Sequence, residues 1–107
     1  MRDDPRWQQV VAFWKWCEAR EDAPTHELLD RWKQYIAALG AIASDADVSS
    51  DERSDALIIL DDIAEDPEAQ STMESVLLKL RDVIEEPGTP AVVRQQAIEV
   101  RRRFWSL

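Results

Sequence analysis

The stretch SSDERSDALIILDDIAEDP, residues 49–67, decides the fold. Its first four residues, Ser49-Ser50-Asp51-Glu52, match a capping box, in which Ser49 and Glu52 satisfy each other's unpaired N–H groups at a helix start. The apolar residues Ala56, Ile59, Leu60, Ile63 and Ala64 then recur at helical spacing and define one face. Ile58-Ile59 alone argues for a strand, because both are β-branched within an apolar run. The cap and the acidic flanks outweigh that signal. Asp66-Pro67 restarts the chain with a capping residue followed by proline, as Asp4-Pro5 does near the N-terminus.

Outward from this segment the same pattern repeats. A first helix is expected from about Pro5 to Arg20, with Trp7, Val10, Val11, Trp14 and Cys17 as its core stripe. Glu21 to Pro24 breaks the chain, and Thr25 caps a second helix with the stripe Leu28, Leu29, Trp32, Tyr35, Ile36 and Leu39. Gly40 either ends that helix or lies within it, with Ala41–Ala43 adding a turn. A fourth helix carries Met73, Val76, Leu77, Leu80, Val83 and Ile84. It starts at Asp66 or at Ser71, whose pairing with Glu74 makes a second capping box, and Pro87-Gly88 stops it. Thr89-Pro90 opens a fifth helix with the stripe Val93, Ala97, Val100 and Phe104. No segment alternates with period two, and no repeat stands out. These features predict an all-α protein: a compact antiparallel bundle of about five helices with short connections, one domain over residues 1–107.

Composition narrows the functions. Hydrophobic residues make up 45% and charged residues 33% of the 107, the balance of a globular chain. The formal net charge is −9, and residues 41–80 hold eleven acidic against two basic side chains. Such a field repels nucleic acid, whose binding depends on Lys and Arg neutralising phosphates. It attracts basic proteins and speeds their encounter, and it also serves solubility. No apolar run approaches the ~20 residues of a membrane span, and the N-terminus has no apolar signal core. A lone cysteine, Cys17, excludes an internal disulfide. The expected location is therefore the cytoplasm.

Catalytic and cofactor signatures are sparse. His26 is the single histidine, so with Cys17 it cannot complete a zinc set. Two glycines cannot build a phosphate loop. Helical spacing puts Asp61 with Glu65, and Asp62 with Asp66, on shared faces, but no Glu-x-x-His motif accompanies them. The expectation is a non-enzyme without catalytic residues, metal or cofactor. Asp45-Ala-Asp47-Val-Ser49-Ser-Asp51 has the alternating oxygen donors of a calcium loop, yet Ser50 and Ala56 occupy the positions that need glycine and glutamate. Asp45 to Arg53 also resembles the acidic turn of tellurite-resistance-B-type domains, where an Asp-Gly-x-Val-Ser pattern precedes a helix; here Ala46 replaces the glycine. That resemblance implies a divalent metal at the turn, while a helix cap rich in Asp and Ser accounts for the same residues.

Apolar residues that miss their helix's core face carry the functional signal. Ile58 lies opposite the third helix's stripe, on the side of Asp51, Asp55, Asp62 and Glu65. An isoleucine ringed by carboxylates is the pattern of an interface anchor with a charged rim. Trp16 sits apart from the first helix's stripe with Gln9, Ala12 and Arg20, and Leu78 is misplaced on the fourth. Ile98 and Trp105 form a second stripe on the fifth helix beside Arg94, Arg101 and Arg102, which is core if that helix is central and a contact surface otherwise. The leading expectation is a non-catalytic inhibitor or immunity-type protein. It would occlude the cleft of a basic toxin or nuclease with Asp51, Asp55, Ile58, Asp61, Asp62, Glu65, Asp66 and Glu68. The alternatives are a structural adaptor or homodimer joined through Trp16, Ile98 and Trp105, and a phage-type inhibitor that mimics nucleic acid.

Overall fold

The computed structural model describes residues 4–19, 25–70 and 72–105, and of Thr25, His26, Glu68 and Trp105 the backbone alone. The break at Glu21 to Pro24, the cap at Ser71 and the side chain of Arg20 lie outside these residues. The helices are α1 (Pro5–Ala19), α2 (Thr25–Ser44), α3 (Ser50–Ile63), α4 (Pro67–Gln70), α5 (Glu74–Glu85) and α6 (Ala91–Trp105). Among the described residues there is no strand, and no helix is long and apolar enough to cross a membrane.

The caps act as the sequence suggests in two cases. Asp4 Oδ1 accepts the Arg6 backbone N–H at 2.9 Å, in the first turn of α1. Ser49 Oγ accepts the Glu52 backbone N–H at 3.3 Å and starts α3. The segment after α3 divides instead of forming one helix from Asp66 or Ser71. Pro67 opens the single turn α4, and α5 begins separately after Met73, which supplies no side-chain cap.

Two helical hairpins form the body. Residues 45–49 join α2 to α3 and residues 86–90 join α5 to α6, connections too short for anything but antiparallel neighbours. The hairpins stack like on like, α2 against α5 and α3 against α6. They also share a device. Arg53, fourth residue of α3, donates Nε–H to the Ala43 carbonyl at 3.0 Å; Arg94, fourth residue of α6, donates Nε–H to the Ile84 carbonyl at 3.1 Å. Each arginine thus closes the C-terminal end of the preceding helix, where unpaired carbonyls and the helix dipole favour a cation. The two hairpins thus share a layout, with Leu39/Leu80, Arg53/Arg94 and Ala56/Ala97 identical at the same offset of 41 residues.

Packing settles two points the sequence leaves open and corrects one expectation. α2, rather than the last helix, is central: it packs on α1, α3, α4 and α5. Its Gly40 is inside the helix, and a Cβ there would stand 3.0 Å from Val76 Cγ2, so glycine sets the close approach of α2 to α5. The buried face of α1 is Trp7, Val10 and Phe13, while Val11 and Trp14 are 40% and 43% exposed. The core behind these helices includes Ile36, Leu39, Ile42, Leu57, Leu60, Met73, Leu80, Val93 and Val100, all essentially inaccessible. The result is a slab of 45 × 34 × 17 Å, two helices thick.

Candidate functional site

The site grows from the seam between α1 and α2, which is aromatic. The Phe13 ring stacks on Tyr35, centroids 4.2 Å apart and planes at 13°, and leans on Trp32 at 4.9 Å. Trp14 lies at the surface with its polar edge turned inward, Nε1–H donating to Tyr35 Oη at 2.9 Å, while Phe13 is buried. Spacing alone cannot rank two adjacent aromatics, which is why the expected stripe chose the wrong one.

α1 packs chiefly on α2 and leaves two troughs facing α3. A cleft of about 560 Å³ has Phe13, Trp32 and Tyr35 among its lining, with Trp14 and Ile58 beside them. A shallower trough of about 720 Å³ runs along Trp7, Val11 and Trp14. Ile59 and Trp14 border both. Ile58 is 53% exposed, as its position opposite the α3 stripe required. Of the exposed large apolar side chains, Ile58 borders the cleft, Val11 the trough and Trp14 both.

Carboxylates line the same cleft. Asp61, Asp62 and Glu65 lie along the C-terminal end of α3 and just past it. Arg103 reaches across from α6 and donates to Asp61 Oδ1 at 2.9 Å and to Glu65 Oε1 at 2.6 Å. These bonds, with Asp61 contributing most, raise the guanidinium's affinity for its proton. Asp61 and Glu65 are thus engaged by a cation within the chain. Asp62 is exposed and has no ion pair among the described residues. Its charge is felt at Tyr35, whose phenol is pushed up first by burial and further by Cys17 and Asp62, against the Trp14 hydrogen bond.

The remaining expected residues are less concentrated. Asp51 is exposed in the first turn of α3, and Asp55 and Asp66 are half-buried. The side chain of Glu68 lies outside the described residues. Trp16 is half-buried against Phe13, at 6.1 Å, with the Arg31 guanidinium over its ring at 5.1 Å. Ile98 is half-buried on α6, which packs on α3 and α5, and the Trp105 side chain lies outside the described residues. Trp16 and Ile98 therefore belong to helices with different packing partners. Leu78 is exposed, as expected.

The acidic turn is held from within. Asp45 accepts the Asp47 backbone N–H and an Arg6 Nη2–H, both at 2.9 Å, and Arg6 also grips Asp4. The Asp47 amide and then Arg6 hold the Asp45 carboxyl below the usual carboxylate range, and Arg6 does the same to Asp4. Among the described residues no group of three or more His, Cys, Asp or Glu side chains is placed to hold a metal ion. The chain matches no protein-family model, no curated protein and no solved structure.

Proposed function

We propose that the protein is a non-catalytic binding module that docks on a basic protein, in the manner of an inhibitor or immunity protein, through the depression between α1 and α3. The observation that carries this reading is the pairing of exposed Trp14 and Ile58 at one cleft that Asp61, Asp62 and Glu65 also border, with exposed Val11 in the neighbouring trough. Exposed apolar anchors within a charged rim are the anatomy of a protein interface. The rim gives orientation and a fast encounter, and Ile58 with Trp14 gives the desolvated contact. Occlusion of the partner's own functional cleft is the proposed mode of action.

The net charge of −9 favours a basic partner over a second copy of the chain. A two-fold dimer through this depression would set like carboxylates against each other. The test is affinity capture from the source cell with wild-type and Ile58→Asp baits, washed at low and high salt. The expected result is a stoichiometric basic protein held by the wild type, weakened by salt and lost with Ile58→Asp. Capture of no basic protein, or equal capture by both baits, overturns the reading.

A further inference from the structure

Resting on that docking reading, we infer that the cleft between α1, α2 and α3 is a receptor for a single arginine side chain of the partner. Three features converge on a guanidinium. The lining offers the ring of Trp14, 43% exposed and backed by the buried Phe13, Trp32 and Tyr35, and aromatic rings favour a cation lying over their planes. The mouth has three carboxylates and one cation, Arg103, so it retains two negative charges. Arg103 itself shows that Asp61 and Glu65, four positions apart on one face, are spaced to share one guanidinium through Nε and Nη1.

Asp62 is the acceptor left for a second guanidinium, since it has no ion pair among the described residues. Tyr35, 3% exposed, accepts the Trp14 indole N–H at 2.9 Å and so fixes that ring at the cleft. A planar, delocalised and weakly hydrated guanidinium suits an aromatic wall with a carboxylate edge better than a compact ammonium does. A cleft of about 560 Å³ with Ile58 and Ile59 in its lining has apolar surface for the three-carbon stem.

The experiment titrates the protein with Nα-acetyl-arginine amide and, in parallel, with the uncharged isostere Nα-acetyl-citrulline amide. The readout is the indole 15N–1H resonances, with Trp14 assigned by Trp14→Phe. The expected outcome is a saturable shift centred on Trp14 with arginine and none with citrulline. Asp62→Asn weakens the arginine response by about tenfold, as loss of a hydrogen bond to a charged group does. Arg103→Gln strengthens it by roughly threefold by freeing Asp61 and Glu65 from an exposed pair. Equal responses to the two amides, no response to arginine, or an unchanged response in Asp62→Asn overturns the inference. If arginine is silent while capture of a basic protein still depends on Ile58, only this inference falls; if both fail, the docking reading falls with it.

Discussion

Ile58 and Leu60 are two positions apart in one apolar run and have opposite fates. Leu60 is fully buried, and Leu60→Ala is expected to cost about 2–5 kcal/mol in urea unfolding, through lost transfer energy and the cavity left behind. Ile58→Asp, at a half-exposed position, is expected to change stability by no more than ~0.5 kcal/mol while abolishing partner capture. Helical phase alone separates the two, so Ile58 was legible from its angle on α3. The roles of Phe13 and Trp14 were not, because a hydrophobicity pattern carries no information about which indole edge will find a phenol. Arg103 was equally hidden. Its bonds to Asp61 and Glu65 join residues some forty positions apart, and no local pattern marks such a pair.

Between elements, Gly40 and the two arginine clasps determine how the hairpins close and stack. Gly40→Ala gains helix propensity of about 1 kcal/mol but pushes a methyl group against Val76 at 3.0 Å. The expected result is a net loss of stability for Gly40→Ala, with Gly40→Ala/Val76→Ala costing less than the sum of the two single variants. Arg53→Met should cost about 1.5–3 kcal/mol in the same unfolding assay, because it strips a charged donor from a buried helix end at Ala43. Helix positions were readable from caps and spacing, to within the extra turn α4. The central place of α2 was not, since periodicity shows that a face is apolar without showing how many neighbours share it. The repeated hairpin escaped notice for a related reason: it is conserved as geometry, a five-residue turn and an arginine in the fourth helical position, more than as residues.

For the whole molecule, the two hairpins stack like on like, α2 on α5 and α3 on α6, and α1 packs chiefly on α2. Arg6 anchors that extra helix to the α2–α3 turn through Asp45. Both carboxyls on Arg6 are held below their ordinary value of 3.8, so this clasp contributes fully above about pH 4 and fades as acid protonates Asp4 and Asp45. Arg6→Gln is therefore expected to be less stable than the wild type at neutral pH, and the two unfolding curves should converge as pH falls below that value. The acidity of residues 41–80 was plain in the sequence. That Asp4, Asp45, Asp61 and Glu65 are engaged by arginines within the chain became visible only in three dimensions.

The seating of α1 chiefly on α2 has a dynamic consequence. The hairpins pack on each other through two helix pairs, whereas α1 packs chiefly on α2, through buried Trp7, Val10 and the aromatic seam, with Arg6 clasping the α2–α3 turn. Its amides should therefore exchange with deuterium through a partial opening well below the energy of global unfolding, while those of α2 and α3 wait for the whole body to open. Because Phe13 and Trp14 complete the cleft, each opening dismantles it, and an occupant can be held only while α1 is closed. Slowed exchange confined to residues 7–17 would then report occupancy from the protein's own backbone.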